Sequence, residues 1–356
     1  MATVLVDDRL IEFVLDDMVE AESATPLIEP GDIIVPGFID LQVNGLAGND
    51  AASGGAAITE ISRRLPLSGV TAFLPTLISR PIGEATAFVD ACKTADAPGA
   101  HVLGAHIEGP FLNPKHAGAH DPRCLALPEP AKVRALLELP PALVTLAPEL
   151  PGALDAIREL TAAGVRVSAG HSAATTSEAN AGFDAGIRFG THLFNAMSPL
   201  NHREPGLPGA LLADERLTIG LIADGVHVHP SMLALAVKAA GAGRIALTTD
   251  QTAAAGSPPG RYVIAGRETF SDGISARLAD GTLAGSVATM DHLVRVMAAL
   301  PGVGLRQAVE MASATPARFL GLDRGEIRAG ATADLVVLTP GLRVRLTLVG
   351  GRVAHG

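Results

Sequence analysis

Eight times along this chain a short run of aliphatic and β-branched residues ends in polar or charged side chains, and helical patterning usually follows. The runs are Phe38–Val43, Val70–Leu74, Val102–Ile107, Leu143–Leu146, Val165–Ala169, Ile187–Thr191, Ile219–Ala223 and Ile245–Thr249. A strand that is apolar almost throughout has no face to offer water. Strands of that kind separated by helices build a parallel sheet covered on the outside. In the helix candidate Leu154–Ala163, Leu154, Ile157 and Leu160 share a face and Gly164 ends the pattern. Ser231–Ala240 begins after Pro230 and stops at Gly241, a start and a stop in the right order. Eight such units, counting the weak fourth run, point to an α/β fold, a closed (β/α)8 TIM-like barrel.

The length of 356 residues suits a barrel plus an accessory piece. The chain ends supply that piece, because they show strand and turn patterns without helices between them: Thr3–Val6 and Ile11–Leu15, then Leu335–Leu338 and Val344–Leu348. Neither end is large enough to hold a core alone. Residues 1–35 and 327–356 are therefore expected to pair into one small β-sandwich domain, with 36–326 as the catalytic barrel. Two segments break the rhythm, 109–130 after the third run and 251–285 after the eighth. Long irregular segments in compact domains usually carry function.

Composition narrows the partners. Apolar residues make up 48% and charged ones 18%, enough for a large core and against disorder. Lys plus Arg number 27 against 37 Asp plus Glu, a net charge of −10, and no basic run could track a phosphate backbone; nucleic acid is not an expected partner. No apolar stretch approaches the ~18 residues of a membrane span. Asp7, Asp8 and Arg9 stand where a secretion signal would be apolar, so a cytoplasmic protein is expected. Two cysteines, Cys92 and Cys124, build no disulfide framework, and Cys124 is read as an incidental thiol.

In a barrel of this kind the active site gathers at the C-terminal ends of the strands. Gln42-Val43-Asn44, His106-Ile107-Glu108, Gly170-His171-Ser172, Thr191-His192, Asp224-Gly225-Val226-His227 and Thr249-Asp250 stand there. Alternation along a strand places Gln42 with Asn44, and His106 with Glu108, on shared faces. Glu108, His171 and His192 offer one carboxylate and two imidazoles, the set of a catalytic zinc site with a position left for water. Iron(II) uses a similar set, so the expectation is one divalent ion per chain, Zn2+ first and Fe2+ or another ion as alternatives. Asp250 is the candidate general base. His106 is read as supporting the ligands. His101, His116, His202, His229, His292 and His355 are read as structural.

The same residues lie in stretches that resemble N-acetylglucosamine-6-phosphate deacetylases: Pro36-Gly37-Phe38-Ile39-Asp40, His106-Ile107-Glu108-Gly109-Pro110, Ser168-Ala169-Gly170-His171 and His192-Leu193-Phe194-Asn195-Ala196-Met197. Ile222–His227 and Leu283-Ala284-Gly285-Ser286 continue the likeness, which runs in order from Pro36 to about Asp334. It implies removal of the acetyl group from N-acetylglucosamine 6-phosphate, with Glu108, His171 and His192 on the metal and Asp250 as acid and base. It further implies Asn195, the Ala196 backbone and Arg203 on the phosphate, Arg203 reaching in from the other subunit of a homodimer. His120, His227 and Leu283, Ala284 and Gly285 would line the sugar and acetyl pocket. Many amidohydrolases carry His-x-His at the first strand end for a second metal; Gln42 and Asn44 stand there instead, so that site is expected to be absent or weak. The galactosamine epimer is the nearest alternative substrate, and sugar isomerisation on the same fold a more distant one.

Overall fold

The computed structural model describes residues 3–15 and 28–356. The eight runs become eight parallel strands, hydrogen-bonded in chain order: β1 Phe38–Val43, β2 Val70–Ile78, β3 His106–Glu108, β4 Leu143–Leu146, β5 Arg166–Ala169, β6 Phe189–Gly190, β7 Thr218–Leu221 and β8 Ile245–Leu247. Every residue of β1, β2, β3 and β4 is buried, as strands covered on both faces require. A helix follows each strand: α1 Gly55–Arg64, α2 Ile82–Thr94, α3 Pro130–Leu137, α4 Ala153–Ala162, α5 Thr176–Ala185, α6 Gly206–Ala213, α7 Pro230–Ala240 and α8 Met290–Ala298.

Local chemistry sets these helices. Thr175 and Glu178 form a reciprocal capping box that starts α5, and Ala179, Gly182 and Phe183 supply its buried face. In α4 the buried stripe is Ala153, Ala156, Ile157 and Leu160, so the expected face turns slightly and leaves Leu154 half-buried. Pro230 at the first position of α7 has no N–H to leave unpaired, and Gly241 ends that helix.

β1 and β8 close the barrel. The Asn44 N–H donates to the Gln251 carbonyl at 2.9 Å, and Val43 bridges Gln251 in parallel register. Beneath that bridge the fully buried Asp40 carboxylate accepts hydrogen bonds from the Thr248 hydroxyl (3.1 Å), the Thr249 N–H (3.2 Å), the Thr249 hydroxyl (2.5 Å) and the Gln42 N–H (3.2 Å). Burial pushes the Asp40 carboxyl up to about 6, against the pull of those donors.

Five strands are shorter than the expected runs, β3 and β6 most of all. The run Val102–Ile107 splits: His101–Val102 pairs with β2, and the chain re-enters the sheet only at His106. Gly104 marks the break, with φ at +122° and so close to Ala142 that a Cβ would sit 2.8 Å from that side chain. β6 keeps only Phe189–Gly190 in the ladder before His192 enters the left-handed region at φ +31°.

The chain ends form a four-stranded antiparallel sheet, in the order Arg352–His355, Val344–Val349, Leu335–Leu338, Ile33–Pro36. The hairpin of Thr3–Asp7 with Leu10–Leu15 joins it through a Leu10–Thr332 bridge. Alternation divides the sheet between two cores. Leu335, Val337, Leu346 and Leu348 face Ile11 in a small core, whereas Val35, Val336 and Leu338 join the core of the barrel. Of the composite domain expected from 1–35 and 327–356, residues 1–2 and 16–27 lie outside the described residues. Among the described residues no helix is long and apolar enough to cross a membrane.

Asp40→Ala leaves four donors from three residues at the barrel closure without this acceptor. The expected loss is at least ~3 kcal/mol of unfolding free energy, read from urea denaturation. A change under ~1 kcal/mol would show that the backbone ladder closes the barrel unaided.

Candidate metal centre and active site

The C-terminal ends of the strands open into a cavity of about 500 Å³. At its floor, Glu108 ends β3, His171 follows β5 and His192 follows β6. The Glu108 Oε1 atom lies 3.0 Å from His171 Nε2 and 2.9 Å from His192 Nε2, and the two imidazole nitrogens are 3.1 Å apart. All three residues are buried, and their ligating atoms lie within 4.8 Å of one another.

This donor set fits a divalent ion. The His171 Nδ1 donates to the His116 carbonyl at 2.8 Å, which leaves its Nε2 lone pair directed at the other two ligands. Two such nitrogens at 3.1 Å repel each other unless a cation or a proton lies between them. Burial would raise the Glu108 carboxyl, yet its hydrogen bonds with His120, His171 and His192 hold it well below the ordinary carboxylate range, so it offers the kind of anionic donor that could hold a metal.

The backbone around these groups is strained in a consistent place. His171 at φ +49°, His192 at +31°, Asp250 at +49° and Ala196 at +50° are non-glycine residues in the left-handed region. Each such conformation costs on the order of 1–3 kcal/mol, and four of them stand at the mouth of one barrel. They turn the side chains over the barrel end instead of letting the strands run on.

Asp250 lies on the cavity wall, and the Asn44 side-chain N–H donates to its Oδ1 at 2.7 Å. Burial, reinforced by the negative charge of Glu108, pushes the Asp250 carboxyl up to about 6. Asn44 therefore faces Asp250 and lies outside the three-ligand cluster. Gly285 also presses on this residue: a Cβ there would lie 2.6 Å from the Asp250 carbonyl oxygen, and its φ is +64°.

His120 comes from the excursion after β3. The Ser79 N–H donates to its Nδ1 at 3.0 Å, so the neutral imidazole carries its proton on Nε2, the atom 3.6 Å from Glu108. Burial pushes His120 down to about 4, which keeps the ring neutral. His227 donates from Nδ1 to the Asp224 carboxylate at 2.7 Å and lines the same cavity. Asn195, Ala196, Leu283 and Gly285 line it too, while Ala284 is fully buried behind the wall. Arg203 is exposed and does not line the cavity of its own chain. His106 is buried beneath the centre, held by the Leu41 carbonyl at 3.1 Å and the Thr145 hydroxyl at 2.7 Å, and is not among the clustered ligands. Cys124 is half-buried and does not line the cavity.

Several residues outside the candidate set support it. Ser79, the His116 carbonyl and Asp224 orient His120, His171 and His227. Glu149 accepts from Asn113, the Ser172 hydroxyl and the Ala173 N–H, clamping the turn after His171. Arg267 donates to the carbonyls of Ala119 and His120, tying the two long excursions together. His116, read as structural, is among the residues that line the cavity. A motif such as Asp224-x-x-His227 could have suggested one of these pairs; the others join residues far apart in the chain.

A sequence model of the amidohydrolase family matches residues 33–354. The chain is 40% identical to N-acetylgalactosamine-6-phosphate deacetylase of Escherichia coli O157:H7, over 91% of this chain and 88% of that one. It is 40% identical to N-acetylglucosamine-6-phosphate deacetylase of Danio rerio, over 90% of this chain and 84% of that one. In three dimensions it is similar to the Mycobacterium smegmatis N-acetyl-D-glucosamine-6-phosphate deacetylase solved as an aspartate-to-alanine mutant with N-acetyl-D-glucosamine-6-phosphate. The TM-score is 0.92 at 33% identity, with 99% of this chain and 94% of that one covered. The Thermotoga maritima enzyme gives a TM-score of 0.89 at 31% identity, with 99% and 94% covered.

With Asn44 engaged by Asp250, metal-stripped protein titrated with Zn2+ should bind about one equivalent tightly, and Glu108→Gln should weaken that binding at least ~10-fold. Two equivalents of similar affinity would make ligands of Gln42 and Asn44.

Proposed function

This chain belongs to the amidohydrolase family, and on that premise we propose that it hydrolyses N-acetyl-D-glucosamine 6-phosphate to D-glucosamine 6-phosphate and acetate. The observation that carries the reading is the convergence, in one cavity, of the Glu108–His171–His192 cluster with Asp250 and the proton-bearing Nε2 of His120. Relatives named for this reaction support it over about nine-tenths of the chain, at 40% and 39% identity.

Glu108, His171 and His192 hold one divalent ion, Zn2+ in this reading. Bound there, such an ion makes water more acidic and polarises an amide carbonyl. The protein's own groups do the rest. Asp250, steadied through Oδ1 by Asn44, takes a proton from the attacking water on its other oxygen. It then delivers that proton to the sugar nitrogen as the carbon–nitrogen bond breaks, because an amine leaves far more readily than an amide anion. His120 donates from Nε2 to the carbonyl oxygen as negative charge builds there. Its partner Ser79 fixes that tautomer before the substrate arrives. His227 and the Leu283–Gly285 segment shape the sugar and acetyl pocket. Asn195 and the Ala196 backbone take the phosphate together with Arg203 of a second copy in a homodimer, and such remote contacts orient the scissile amide.

The E. coli relative is named for the galactosamine epimer at the same 40% identity, so acetate release is best compared on both 6-phosphates. Release from the galactosamine compound alone would replace the glucosamine reading, and release from neither would end it.

Asp250→Asn keeps the shape and one acceptor but cannot shuttle a proton. On the same preparation, kcat should fall at least ~100-fold with metal content retained. Near-normal kcat would remove the acid–base role, and loss of metal with activity would make Asp250 a ligand.

Arg203→Ala should raise KM for the phosphorylated sugar by the ~1.5–3 kcal/mol of a charged hydrogen bond, while unphosphorylated N-acetylglucosamine is turned over with little change. Equal losses on both would mean that Arg203 serves the fold.

A further inference from the structure

The cavity that holds the metal cluster is lined by two carboxylates, Glu108 and Asp250, in a chain of net charge −10. The divalent ion proposed above would offset the charge at the Glu108 cluster, and cations on the rim would decide how a phosphate dianion is received outside it. Two cationic side chains of the same chain line the cavity, Lys115 and Arg277, and neither makes an ion pair among the described residues. By contrast Arg80, Arg216, Arg295 and Arg345 all sit against carboxylates.

The Arg277 guanidinium is anchored, and the backbone that carries the exposed Lys115 is fixed. The Arg277 guanidinium donates from Nε to the Ser275 hydroxyl at 3.3 Å and from Nη1 to the Gly281 carbonyl at 2.9 Å. A guanidinium has five N–H donors, so this anchoring leaves others to meet an anion in the planar fork that suits phosphate. Lys115 rides the turn Pro114–His116, fastened by its own N–H to Asn113 Oδ1 at 3.0 Å. The next residue in that turn gives its carbonyl to His171, so Lys115 is positioned relative to the metal centre. Arg277 belongs to the excursion that carries Leu283 and Gly285, and Arg267 of that excursion is bonded to the loop of His120. The two cations thus stand on parts of the rim that are tied to each other.

We infer that Lys115 and Arg277 are phosphate-selecting residues supplied by the chain itself, drawing phosphorylated amino sugars into the cavity in preference to neutral ones. The inference rests on the deacetylase reading for the identity of the sugar, and on the charge and geometry of the cavity for the phosphate. Exposed cations act over a distance set by salt, with a screening length of about 8 Å at physiological ionic strength; the preference is therefore expected to weaken as salt rises.

Lys115→Gln, Arg277→Gln and the double variant test this, with folding checked by thermal melting. Calorimetric titration with glucose 6-phosphate and with glucose, at low and high salt, reads the phosphate preference without requiring turnover. The double variant should bind glucose 6-phosphate at least ~10-fold more weakly than wild type and lose most of the salt dependence. In parallel, kcat/KM for N-acetylglucosamine 6-phosphate should fall much more than for N-acetylglucosamine, through KM. Wild-type protein that does not bind glucose 6-phosphate, or a double variant that binds it within about twofold of wild type, overturns the inference. Cation-dependent binding without acetate release leaves this inference standing and removes the deacetylase reading instead.

Discussion

The closure between β1 and β8 is the contact on which the rest of the molecule depends. A parallel barrel exists only if its first and last strands meet, and here that seam carries a buried carboxylate, Asp40, saturated by donors from Thr248, Thr249 and the Gln42 backbone. An unpaired buried carboxylate would be among the most expensive groups in the protein. Surrounded by hydroxyl and N–H donors it becomes a directional latch that accepts one register of β8 against β1 and resists a slip by one residue. The latch also sets the chemistry, since Asn44 continues from β1 and Asp250 from β8. Their 2.7 Å hydrogen bond spans the same seam one to four residues further on.

Above the seam the strands leave the barrel through unfavourable backbone conformations. His171, His192 and Asp250 each have positive φ without being glycine. Such torsions persist only where the surroundings over-determine them. The surroundings here are the parallel ladder below and a ring of hydrogen bonds above: Glu149 on the turn after His171, the His116 carbonyl on His171, and Ser79 on His120. The arrangement brings two imidazole nitrogens and one carboxylate oxygen to within about 3 Å of one another. The same loops carry Lys115 and Arg277, the cationic side chains among the described residues that line this cavity.

Burial acts on these groups in opposite directions according to what surrounds them. It lifts Asp40 and Asp250 to about 6, lowers His106 and His120 to about 4, and is outweighed at Glu108 by three imidazole partners. Similar burial thus accompanies one ionised carboxyl, two carboxyls lifted towards neutrality and two neutral hydrogen-bonding imidazoles. Partners decide which.

Much of this was legible in the chain as written. Apolar runs with polar ends specify strands that are covered on both faces and finish at a solvent-facing rim, which is enough to place Glu108, His171, His192 and Asp250 at one end of one barrel. Strand patterns without helices at both ends pointed to pairing between them, and Ile33–Pro36 pairs with Leu335–Leu338 in the structure. What the sequence could not disclose was which groups restrain those side chains. Ser79 meets His120 across 41 residues, Arg267 meets Ala119 across 148, and Asn44 meets Asp250 across 206. Periodicity is a local property of the chain, governed by the dihedral geometry of neighbouring residues. Contacts over such separations are set by barrel closure and loop packing, and only the folded chain determines them.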